Sequence, residues 1–440
     1  MTENAAITEL CLLRIAVFGA MLFIDKLADA DTVSLAPFPA ALRSPIPAGA
    51  WIDRCFNFDG KSFSWINRIF KLACLSAAIG FLTPLSTLIA SVLGLYVLAV
   101  PSRFGGVRAF HHLWWFSVVL FTTPCGITLS IDSVLGWHPR SDFPFVHALW
   151  VIRCLFALIY FFPGVWKLRR RGLLWGDTIY NATSLMWFDV GGCPHYVGRL
   201  IANKRARITI GIFVMAFEIG FPGLILFWPA AAFIAGILFH LASGALLRIP
   251  FWHLQVCYVA LIPTAWLDLL VVNGVPGYNI GNPRINMWWS LNQPAEFYLV
   301  SAVLICGVAA FGIAGIRSWP FAVYPTFADG VPKTVTTLLY SVDFDEGKSS
   351  TYDVTELLAK RIARRRSMTM VNQVCRNESG RGEKLEALKW LCDNEIGRFP
   401  SAWRFIAIER PVDAPQFEVG ARELLSNSTK DGPAATDGGC

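Results

Sequence analysis

The chain has 440 residues, 55% hydrophobic and only 16% charged, with a mean hydropathy of +0.49, where soluble proteins average about 25% charged. Residues 1–317 hold 22 Lys and Arg with 14 Asp and Glu, and residues 318–440 hold 16 with 17, so a charge-poor first part is followed by a part of ordinary soluble composition. This excludes a wholly soluble protein, a disordered one and a disulfide scaffold. The net charge of +7 divides as +8 and −1 between the two parts, the bias of cationic loops beside apolar spans rather than the mark of a nucleic-acid partner.

A spanning helix needs about 20 apolar residues. The first candidate is 6–25, with an acidic lead at Glu3 and Glu9 and an interruption at Arg14, unlike a cleaved signal peptide. Residues 69–100 are apolar but broken at Gly80 and Pro84, so they make two short helices or one long kinked one. The runs 109–124, 145–166, 207–228, 229–247, 254–271 and 296–317 follow, for eight or nine spans in all. Taking 69–100 as one span, the positive-inside rule groups 101–108, 166–206 and the tail in the cytoplasm, opposite loops that carry only Arg140 and Arg284. With two spans, the rule is expected to fit less well.

Beyond residue 318 the pattern turns soluble. Residues 333–343 alternate like a strand, 353–376 read as a basic helix, 382–396 as a second helix and 402–410 as another strand. The predicted organisation is an all-α multi-pass membrane bundle over 1–320, a small α+β domain over 321–425 and a disordered end over 426–440. The eleven cysteines include no C-x-x-C pair and the seven histidines no H-x-x-x-H pair, so no metal site is expected, and the cysteines read as small buried apolar residues.

A charge at mid-span costs about 2.5–3.5 kcal/mol on insertion scales, so each one needs a partner or a task. Arg153, Tyr160 and Lys167 are seven residues apart, which puts them on one helical stripe. Pro163 and Gly164 can open the helix beside Lys167. Lys167 either starts the flanking cluster with Arg169, Arg170 and Arg171 and reaches the headgroups, or sits at an apolar mouth as a base. Glu218, central in its span, calls for a cation such as Arg153, and His240 is central in the next span with Ser243 on its face. Both can equally be polar glue between helices. Arg14 and Asp25 lie three turns apart on one face.

These pieces, in this order, resemble a known family. "YFFPGVWKLRRRGLLW" (160–175) is similar to the Y-F-x-A-G-x-x-K-L…W stretch of the vitamin K-dependent gamma-carboxylase-like family, whose bacterial members are HTTM domain proteins. "LLRIAVFGAMLFID" (12–25), "SID" (130–132), "FEIGFPGLILF" (217–227), "FH" (239–240) and "WPFAVYPTF" (319–327) resemble its further segments, so the likeness spans about residues 8–330. It implies a multi-pass protein of the cell membrane, the inner one in a bacterium. It further implies a reduced, vitamin K-like quinone that arrives from the lipid, oxidation or carboxylation chemistry, and Lys167 as the base. Arg153, Tyr160, Glu218 and His240 would line the pocket. Two features depart from the carboxylases. The region before "SID" has no His, and only about 120 residues remain where the carboxylases bind their protein substrate. The alternative is a non-enzymatic membrane protein, a transporter or an assembly or immunity factor, on the same scaffold.

Overall fold

The computed structural model describes residues 3–27, 31–43, 60–104, 110–137, 143–249, 251–262, 294–316, 319–321, 333–344, 348–376, 380–413 and 420–426. They divide into two units: Met1–Pro37 with Ser44–Val331, and Phe38–Arg43 with Pro332–Cys440.

The larger unit is helical: α1 (Glu3–Leu22), α2 (Gly60–Ile79), α3 (Thr83–Val97), α4 (His111–Phe121), α5 (Phe145–Arg171), α6 (Gly176–Trp187), α7 (His195–Ala202), α8 (Lys204–Phe227), α9 (Pro229–Leu247) and α10 (Pro294–Ala314). Among the described residues, six helices are long and apolar enough to cross a membrane: α1, Thr83–Arg103 (α3 with its 3-10 extension), α5, α8, α9 and α10. The outer helices expose large apolar side chains, such as Phe213, Leu238 and Leu299, as a lipid-facing surface does.

The apolar run 69–100 is two helices, parted at Gly80. That residue has φ +69, and a Cβ on it would lie 2.3 Å from Ser130 Cβ and 2.6 Å from Arg14 Nη1, so only glycine fits. Asp132 of the "SID" segment then caps α3, its carboxylate accepting from the backbone N–H of Leu82 (2.8 Å) and Thr83 (2.7 Å). Arg14 donates to the carbonyls of Cys125 and Leu129, and so ties α1 to the same turn. Asp25 is not its partner, because it pairs with Lys71 (2.9 Å) and accepts from Thr32.

Other spans differ from expectation. α4 has eleven residues, too few to cross alone. Where a span was predicted over 254–271, the described part is a short helix, Trp252–Gln255, and a 3-10 stretch, Val256–Leu261. Residues 263–271 lie outside the described set, as do most of "WPFAVYPTF", Arg140 and Arg284. α5 is the axis of the unit and packs against α1, α4, α8 and α10.

The smaller unit is α+β: β1 (Thr334–Asp343), β2 (Ser349–Asp353), α11 (Val354–Leu358), α12 (Arg364–Arg376), α13 (Arg381–Ile396), β3 (Ala402–Pro411) and β4 (Gly420–Ser426). The strands form one antiparallel sheet in the order β2-β1-β3-β4. The predicted basic helix over 353–376 is broken after Leu358. Asp353 caps α11 through the Thr355 N–H (2.7 Å), and α12 starts only at Arg364. Its core stacks Tyr340 on Phe405 with Trp403 beside them. Tyr340 donates to Asp393 (2.7 Å), which also pairs with Lys389. A 3-10 turn at Ala40–Leu42, with Phe38 and Leu42 buried, packs on α13 and belongs to this unit.

Candidate functional site

α5 brings Arg153, Tyr160 and Lys167 inward on one stripe, and all three are buried. Pro163 does not open the helix, which runs on to Arg171. What opens is the space beside it. Gly164 has no side chain, and a Cβ there would come within 2.8 Å of Ile219 Cγ1 and 2.9 Å of Glu218 Cβ on α8. The close approach sets Glu218 against Lys167, and the two form a buried ion pair, their side chains 4% and 10% exposed. The Lys167 ammonium also lies over the Trp175 ring, 4.6 Å from its centroid, a cation–π contact.

Glu218 is therefore paired with Lys167, not with Arg153. Arg153 instead reaches Glu9 of α1, with Nη2 at 2.9 Å from Oε1, and donates through Nε to the Ala260 carbonyl at 3.1 Å. Its role is to join α1, α5 and the 3-10 stretch. In the sequence Glu9 reads only as part of the acidic lead of the first span.

One turn pair along α5 from Lys167, about 10 Å away at 1.5 Å per residue, the Tyr160 hydroxyl shares hydrogen bonds with His240 Nε2 (2.7 Å) and the Tyr258 hydroxyl. Ser243, expected beside His240, donates instead to the Ile249 carbonyl. His112 and His253 stack nearby, their centroids 5.1 Å apart, with His112 Nε2 3.1 Å from the His253 carbonyl. Tyr258 carried no sequence signal, since it sits in a run that reads simply as apolar, and His253 lies just before that run.

Beside them lies a cavity of about 680 Å³, walled mainly by aliphatic and aromatic side chains, with His112, Tyr160, Lys167, Glu218, His240 and His253 among its polar points. Arg153 is not among its walls. Two buried polar atoms here have no protein partner: Glu218 Oε2 and His240 Nδ1. A buried polar atom without a hydrogen bond costs about 1–3 kcal/mol, so both are suited to a ligand's polar groups. Among the described residues, no cluster of three His, Cys, Asp or Glu is placed to hold a metal ion.

Compared with family models, curated proteins and solved structures, the chain matches none.

Proposed function

We propose that the chain is a multi-pass membrane enzyme that takes a lipid-soluble quinol into the cavity beside Lys167 and removes a proton from its hydroxyl. The observation that carries this reading is a buried Lys–Glu pair set in the wall of an otherwise apolar cavity of about 680 Å³, well within the range of small-molecule sites. Eight or nine crossings, in a cell membrane, complete the scaffold.

The residues present fit such a ligand. An apolar ring and tail suit the aliphatic and aromatic walls, and oxygens at opposite ends of a ring suit the Lys167–Glu218 pole and the Tyr160–His240 pole. When bound, the quinol supplies the electrons for reaction with dioxygen. The chain's own part is proton handling. Transfer of a proton from Lys167 to the Glu218 carboxylate leaves a neutral amine, which accepts the hydroxyl proton as a general base. The tyrosine–histidine pole holds the other end of the ligand. Family resemblance extends this first step to carboxylation of a second substrate by the same scaffold.

The test is oxidation of a reduced menaquinone analogue by the chain in proteoliposomes. Lys167→Ala is expected to abolish turnover at normal expression, and unchanged quinol oxidation would end the reading.

A further inference from the structure

The cavity has a side opening. Tyr196 and Leu200 on α7 and Phe213 on α8 line it and are yet 68%, 44% and 64% exposed on the outer surface. α7 is amphipathic. Val197 and Ile201, four apart, are buried in a cluster with Trp175 and Ile179, while Tyr196 and Leu200 face out at the opening. A short helix of this kind lies in the plane of a membrane interface.

Cations border the opening at helical spacing. Arg205, Thr209 and Phe213 follow one another at four-residue intervals on α8, so Arg205 ends the stripe whose next two members line the cavity. Arg199 follows Tyr196 by three residues on α7. Arg199, Lys204 and Arg205 are exposed, and none has a carboxylate partner among the described residues, Arg199 reaching only His195 Nε2 at 2.6 Å. The nearby Asp177 is taken up by Arg207 at 3.5 Å. The positive-inside bias places 166–206 on the cytoplasmic side, where the leaflet is anionic.

We infer that this opening is a binding site for an anionic phospholipid of the adjoining leaflet. Its phosphate lies among Arg199, Lys204 and Arg205, and an acyl chain enters between α7 and α8. The juxtaposition of an exposed apolar mouth with cations that no described carboxylate neutralises distinguishes it from a cationic loop that simply flanks a span. A zwitterionic phospholipid has the same chains but no net charge for the cations to hold. This inference does not depend on any chemistry at Lys167.

The experiment uses the full chain in bilayers containing phosphatidylglycerol or phosphatidylcholine spin-labelled on the acyl chain, read as the motionally restricted fraction by electron paramagnetic resonance. Phosphatidylglycerol is expected to be restricted preferentially. Lys204→Gln with Arg205→Gln is expected to reduce that preference at least fivefold, about the share of one cation at an anionic surface. Leu200→Trp, which fills the mouth and changes no charge, should remove the restricted component. Arg169→Gln with Arg170→Gln, whose side chains stack on Trp166, should leave the preference in place. No preference in the native chain would overturn the site, and so would an equal loss in the Arg169/Arg170 variant, which would reveal only diffuse charge. Retained lipid preference with no quinol oxidation would remove the proposed activity and leave this site standing.

Discussion

Replacement of Glu218 by Leu strands the Lys167 ammonium in a wall where its side chain is only 4% exposed. Breaking a buried pair by removing one partner costs about 3–5 kcal/mol, because a charge remains without a counter-charge. The Trp175 ring contact is present in both chains and cancels in the difference, so the expected loss stays at about 3–5 kcal/mol. Replacing both residues, Lys167→Met with Glu218→Leu, removes the charge with its partner, and such swaps are often neutral or stabilising by about 1–4 kcal/mol. The expected pattern is a marked loss of stability in Glu218→Leu, recovery in the double variant, and no quinol oxidation in either. Reversible unfolding in mixed micelles, followed by tryptophan fluorescence and run beside the oxidation assay, reads both quantities. A Glu218→Leu loss below about 1 kcal/mol would refute the premise that the pair is desolvated and mutually dependent. A stable double variant that still oxidised quinol would show the pair to be structural only.

Three further outcomes are expected. Gly164→Ala should separate α5 from α8 and cost about 1–3 kcal/mol as overpacking, with activity falling alongside, since its Cβ would press on Glu218 and Ile219; wild-type activity and stability would contradict the close approach. Asp132→Ala should lose about 1–2 kcal/mol by uncapping α3, measured by the same unfolding assay, with Asp132→Asn intermediate. In the soluble unit, burial pushes the Cys375 thiol up to about 11. Its peptide should therefore resist iodoacetamide at pH 8 in the native chain, become reactive as the pH rises towards 11 or after urea, and be identified by mass mapping; rapid native labelling at pH 8 would contradict the burial.

The residues legible in the sequence were those whose chemistry clashed with their surroundings. Lys167, Glu218, Arg153 and His240 stand out because each is polar in an apolar run, and the seven-residue stripe on α5 follows from helical geometry alone. Pairing was not legible in the same way. Which cation meets Glu218 depends on how close α8 comes to α5, and that is set by the missing side chain at Gly164, a single glycine in a span that contains other small residues. His253 reaches the cavity from the short helix Trp252–Gln255, and Tyr258 meets Tyr160 from the 3-10 stretch that follows, in a sequence that alternates no more than a buried helix would. Likewise Arg14 and Asp25 share a face on an ideal helix, yet α1 ends at Leu22 and the chain turns before Asp25 can follow. In the soluble unit, β1, β3 and α13 were readable from periodicity, but the basic run from Lys360 to Arg366 obscured the break that separates α11 from α12.

The small turn at residues 38–43 sets a parity for the whole chain. It lies between α1 and α2, yet it packs into the C-terminal unit, and a soluble unit cannot straddle a bilayer. Residues 38–43 share one compact unit with 332–440, so an even number of crossings is expected between them. Five of the six membrane-length helices fall in that interval, so an odd number of crossings must come from α2, α4 and the apolar run 254–271. With α1 added, an odd total is expected. Tags at the two ends of the chain should accordingly report opposite faces of the membrane.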